Sequence, residues 1–113
     1  MANQNINRAW AQIPMQDWLF DAWKKYAESV KNEQRVVLDI FIREYITVKK
    51  AYTDEQHVVF YAPNRKAKGR TVQIDADLYE QTEIFAKEYD TRINRVLMSA
   101  LLEGLRSRRR IRI

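Results

Sequence analysis

Nine of the chain's 20 basic residues fall in two acid-free clusters: Arg65, Lys66, Lys68 and Arg70, and then Arg106, Arg108, Arg109, Arg110 and Arg112. The other 11 basic residues face 15 acidic ones, so the rest of the chain carries a net −4 while the whole carries +5. Positive charge gathered into two segments of an otherwise acidic chain is the electrostatic footprint of a polyanion binder. A basic C-terminal tail that serves only solubility is the plainer alternative, and the clusters alone do not choose between DNA, RNA and an acidic protein. Other chemistry is poorly supplied. Cysteine is absent and His57 is the sole histidine, so neither a thiolate metal site nor a Cys/His nucleophile pair can be assembled. Asp75 and Asp77 stand before a helical pattern and have an adequate capping role. No convergent acid–base set is left, and neither an enzyme nor a cofactor or metal site is expected.

The elements that must hold these residues repeat. Leu19, Phe20, Trp23, Tyr26, Ala27 and Val30 recur 59 residues later as Leu78, Tyr79, Thr82, Phe85, Ala86 and Tyr89. Val36, Val37, Leu38, Ile40, Phe41, Ile42 and Tyr45 recur 60 residues later as Val96, Leu97, Met98, Ala100, Leu101, Leu102 and Leu105. Identity is low, but the burial pattern is kept, and that pattern specifies architecture. Each copy reads as a short strand, a helix, a tight turn and a longer helix. In the second copy residues 70–75 alternate polar and apolar side chains with Val72 and Ile74 inward, the period of a half-buried strand. A helix to about residue 89 follows, then a helix over 92–108 capped by Thr91, in which Gly104 is tolerated. In the first copy the same offset predicts a strand over 9–15, where Pro14 requires a free edge, a helix over 17–30, a turn at Lys31 and Asn32, and a helix over 33–49 capped by Asn32. Trp18 and Trp23, at helical spacing, read as core or partner-facing residues.

Units this small rarely hold a core alone, so the expectation is one intertwined domain over 1–113, with a first unit at 8–50, a linker at 51–68 and a second unit at 69–113. Within the linker, residues 58–61 have β propensity and could pair with the alternating tail 110–113. No apolar run approaches a membrane span and the N-terminal residues lack a basic-then-apolar leader pattern, which predicts a cytoplasmic protein with no membrane partner.

A strand–helix–helix unit of this size, present twice, resembles the ribbon-helix-helix (MetJ/Arc/CopG) superfamily, in a tandem single-chain form similar to the TraY-like relaxosome accessory proteins of conjugative plasmids. The resemblance spans nearly all of the chain except the linker and the extreme termini. It implies an α+β, mostly helical fold in which two tandem units form an intramolecular pseudo-dimer with a two-stranded antiparallel ribbon. It also implies that the ribbon enters the major groove of double-stranded DNA and that outward side chains read base edges. Carried onto this sequence, the readers are Gln12 and Trp10 from the first strand and Thr71 and Gln73 from the second, with Pro14 and Gly69 filling the remaining outward positions. Gln suits adenine and the Thr methyl suits the thymine methyl, although Gln and Thr also simply solvate the outer face of many strands.

The family's second device implies phosphate binding at the start of each longer helix. That places Asn32 and Arg35 on one side and Thr91, Arg92 and Arg95 on the other, with Glu33 repelling a phosphate in the first copy. Arg65, Lys66, Lys68, Arg70, Arg106, Arg108, Arg109 and Arg110 complete the phosphate-binding set. The implied role is a sequence-specific, non-enzymatic DNA-binding protein, either a plasmid-transfer accessory factor, with a relaxase or another relaxosome protein as a further partner, or a transcriptional repressor. It would act as a monomeric pseudo-dimer on an asymmetric site, with possible association on DNA. A different class remains open: an antitoxin or helical adaptor whose basic tail binds an acidic partner.

Overall fold

A computed structural model describes residues 7–51 and 60–112. The elements run β1 (Arg8–Pro14), α1 (Asp17–Ser29), α2 (Gln34–Lys50), β2 (Gly69–Asp75), α3 (Ala76–Glu88) and α4 (Ile93–Ser107). The fold is α+β, with four helices against one two-stranded antiparallel ribbon. Register runs from Arg8 opposite Asp75 to Pro14 opposite Gly69, and one of its rungs is Gln12 opposite Thr71. Those two residues are also equivalent under the 59-residue offset, so exchanging the halves leaves the pairing unchanged.

The inward ribbon residues Ile13, Val72 and Ile74 are buried with Met15 beneath them. Each such side chain contributes roughly 1.5–3 kcal/mol on burial. Leu19, Trp23 and Ala27 of α1 and Leu78, Phe85 and Ala86 of α3 close the sides of the core, and α2 packs along α4 through its centre. At their crossing, a Cβ on Gly104 would lie 2.4 Å from Cγ of Phe41. Gly104 is therefore required, not merely tolerated: the Phe41 ring occupies the space that a side chain would need. Trp23 is buried and its indole N–H donates to the Gln34 carbonyl at 2.9 Å, joining α1 to the start of α2. Trp18 is half exposed, its N–H donating to Gln16.

Helix ends differ from expectation by one residue. The N-caps of α2 and α4 are Glu33 and Arg92, not Asn32 and Thr91, and neither makes a side-chain cap bond. The reason is that Asn32 and Thr91 close the preceding helices. Their backbone N–H groups donate to Ala27 O at 3.0 Å and Ala86 O at 2.9 Å, with Lys31 and Asp90 left-handed at φ 58° and 52°. This is the six-to-one bond of a Schellman turn. Asp75 does cap α3, accepting from the Leu78 N–H at 3.1 Å. The conjectured strand at 58–61 lies partly outside the described residues. Phe60 and Tyr61 are not in a strand: Tyr61 N–H donates to the buried Ser99 hydroxyl at 2.7 Å, and the tail at 110–112 forms no strand either. No helix among the described residues is long and apolar enough to cross a membrane.

Asp39 is a buried acid that ties one end of the ribbon, the Arg8–Asp75 rung, to the helices. It accepts from Arg8 at 3.0 Å and from the backbone N–H of Asp75 at 3.2 Å, so the first residue of β1 and the last of β2 share one anchor on α2. A carboxylate so far removed from water needs such partners.

Candidate nucleic-acid interface

Alternation along each strand turns Trp10, Gln12 and Pro14 of β1 and Gly69, Thr71 and Gln73 of β2 to the outer face, where Trp10, Gln12, Gly69 and Thr71 are exposed and Pro14 and Gln73 half-buried. The outer face has three rungs: Trp10 opposite Gln73, Gln12 opposite Thr71, and Pro14 opposite Gly69. Trp10 is 61% exposed, the most exposed large apolar residue described. The amide of Gln12 lies over Gly69, since a Cβ there would approach its Nε2 to 3.1 Å. The ribbon has two strands, and the major groove, about 12 Å wide, admits a two-stranded ribbon.

Beside the Pro14–Gly69 end, the start of α4 and the second half of the linker enclose a cleft of about 360 Å³. Arg65, Arg92 and Arg95 line it together with Thr91, Asn94, Pro14 and one acid, Asp90. None of the three arginines has an acidic partner within 4.0 Å among the described residues. The first N–H groups of α4 are short of intrahelical partners, as in any helix, and the Arg95 N–H turns back to the Arg92 carbonyl at 3.0 Å. Asn94 was not among the residues singled out from sequence. Its side-chain amide donates to the Gln12 carbonyl at 3.2 Å, fixing the cleft against the ribbon. Its position in the same helical turn as Arg92 and Arg95 was the available signal. Lys66 and Lys68 are exposed on the turn leading into β2, and the Lys68 carbonyl accepts from Met15 N–H at 2.9 Å, continuing the ribbon by one bond.

The other predicted phosphate ligands are placed differently. Arg70 shares strand parity with Val72 and Ile74 and so lies on the core face. Its guanidinium bonds Asp17 and the Met15 carbonyl and covers the Phe20 ring 4.2 Å from the centroid. Arg35 makes a two-pronged bond to Glu33 at 3.0 and 3.1 Å, while Asn32 is exposed in the turn before them. At the far end of α4, Arg106 pairs with Glu103, which holds its pKa above the usual arginine value by hydrogen bonding and charge. Arg108 bonds both carboxylate oxygens of Glu44 at 3.1 and 2.7 Å and the Tyr26 hydroxyl at 2.8 Å, over the Phe41 ring. The Glu44 bond is the main cause of its raised pKa. Arg110 reaches Ser29 and the face of Tyr26, whereas Arg109 and Arg112 are exposed. The structure therefore brings the outward ribbon residues together with Arg65, Arg92 and Arg95, and separates them from the C-terminal arginines by the length of α4.

No protein-family model, curated protein or solved structure matches this chain. Among the described residues no group of His, Cys, Asp or Glu is placed to hold a metal ion.

Proposed function

We propose that this chain is a tandem ribbon-helix-helix protein that binds double-stranded DNA in a sequence-specific manner, its two units paired as an intramolecular pseudo-dimer. The observation that carries the reading is the juxtaposition of the outer ribbon face, bearing exposed Trp10, Gln12 and Thr71 and half-buried Gln73, with the arginine-lined cleft at one of its ends. Side chains of these types can hydrogen-bond or touch base edges, and the arginines can hold the adjoining phosphates. The exchange-symmetric register around Gln12 and Thr71 supports the pseudo-dimer. Because the two strands present different side chains, the target is an asymmetric site, in contrast with the palindromes read by symmetric dimers.

The biological role fits a plasmid-transfer accessory factor, for which a relaxase would be the further partner, or a repressor acting in the cytoplasm. The adaptor reading relied on the basic tail, where Arg106, Arg108 and Arg110 already have partners within the chain. A gel-shift titration on DNA flanking the chain's own gene, against a scrambled duplex, tests the proposal. A salt-sensitive complex that prefers the flanking DNA is expected. Absence of any complex at low salt removes the DNA-binding reading and returns the adaptor to first place.

A further inference from the structure

The two ends of the ribbon carry very different charge. At the Trp10–Gln73 end every nearby arginine is spent: Arg8 on buried Asp39 at 3.0 Å, Arg35 on Glu33 at 3.0 Å, and Arg43 towards Asp75 at 3.9 Å. At the Pro14–Gly69 end, Arg65, Arg92 and Arg95 meet in one cleft where Asp90 is the single acid among the described residues, and Lys66 and Lys68 stand exposed on the chain entering β2. Side chains able to report on bases are distributed the opposite way. The uncharged end carries an exposed indole beside a glutamine, and the charged end offers a proline and a glycine.

We propose, on the basis of the DNA-binding reading above, that the duplex is held from one flank only. The Arg65–Arg92–Arg95 cleft grips the phosphate backbone at the Pro14–Gly69 end, and the Trp10–Gln73 end meets the groove through uncharged contacts. Backbone attraction then supplies affinity at one flank while base contacts supply discrimination at the other, because a phosphate contact carries no sequence information. An asymmetric protein of this kind sits on its site in one orientation. The pairing of Arg35 with Glu33 is the feature that removes the second grip: a phosphate there would have to compete with a carboxylate already bonded through both oxygens.

Salt dependence separates the two ends, since each phosphate neutralised contributes about −0.9 to the slope of log affinity against log salt. Arg92→Gln and Arg95→Gln, measured by fluorescence anisotropy on a duplex of arbitrary sequence, are each expected to reduce the magnitude of the slope by about 1. Arg35→Gln removes the same formal charge from the other end and is expected to leave the slope of the unmodified protein. All three positions lie on the surface of helix starts, and an unchanged thermal melt establishes that each variant is folded. Ethylation interference on the preferred site is expected to mark phosphates on one flank. If Arg35→Gln lowers the slope as much as Arg95→Gln, or if interference is equal on both flanks, one-sided holding is wrong although the chain still binds DNA. If the unmodified chain binds no duplex at low salt, the DNA-binding reading itself has failed.

Discussion

Arg95, in the first turn of α4, and Arg108, at its C-cap, are about 20 Å apart on a helix that rises 1.5 Å per residue. Arg95 faces a cleft with Arg65 and Arg92 and has no acid within ion-pair distance among the described residues. Arg108 is a structural bolt, joining α4 to α1 through the Tyr26 hydroxyl and to α2 through both oxygens of Glu44. The arginines at the two ends of α4 are alike in residue type, yet those at its start are available to an anion and those at its end are largely committed. Charge becomes a binding surface only where the fold leaves it unpaired.

The comparison depends on the α2–α4 crossing, which sets where both ends of α4 lie, and the largest expected effect is there. Gly104→Ala forces a Cβ to 2.4 Å from the Phe41 ring, and overpacking of this kind typically costs about 1–3 kcal/mol, here towards the top of that range. Denaturant unfolding should show the loss, and Phe41→Leu in the same chain should recover part of it. If Gly104→Ala melts like the unmodified protein, the close crossing does not position either cluster.

On the ribbon, Gln73→Ala is expected to weaken binding to the preferred site by roughly 1–3 kcal/mol with little effect on a random duplex, the signature of a base contact. A cognate-to-random ratio left unchanged by both Gln73→Ala and Thr71→Ala would mean that the outer face does not read bases.

How far was this arrangement legible in the sequence? Strands, helices and the internal offset follow from apolar periodicity, because burial leaves a repeating mark on residue type. Pairing leaves no such mark. Asp39 meets Arg8 from 31 residues away, and Arg108 meets Glu44 from 64. Two placements were nevertheless open to inference. Arg70 shares parity with Val72 and Ile74, and Arg108 extends the buried stripe of Leu101 and Leu105 by one further step along the helix. Each is a cation on an apolar face, so its stem packs against the fold and its charge is not simply a free surface charge. The helix caps moved because Asn32 and Thr91 can serve the end of one helix or the start of the next, and local sequence does not decide which.

A reciprocal pair of substitutions probes the two ends of α4 directly. Arg108→Ala removes a partly exposed ion pair, a hydroxyl bond and a ring contact, and should lower stability by about 1 kcal/mol while leaving the affinity of the folded protein for DNA unchanged. Arg95→Ala should do the reverse, with stability held within about 0.5 kcal/mol and affinity lowered by similar factors on cognate and random duplexes. Unfolding curves and anisotropy titrations on the same samples suffice. Loss of affinity without loss of stability in Arg108→Ala would show that the tail, too, touches the backbone.

The smallest expected effect belongs to Arg109 and Arg112, the exposed arginines of that tail. They stand near the C-terminal end of α4, roughly 20 Å from the cleft by the rise of the helix. That distance exceeds the screening length of about 8 Å at physiological ionic strength, but it is shorter than the roughly 30 Å that applies at 0.01 M. Replacing both with Gln should therefore leave affinity within about a factor of two at physiological salt, and slow association measurably only at the lower ionic strength, where the whole molecule's field still reaches the duplex. Stopped-flow association at the two salt concentrations resolves this. An equal loss at both would place the tail in contact with phosphate, making the two ends of α4 alike in use as well as in composition.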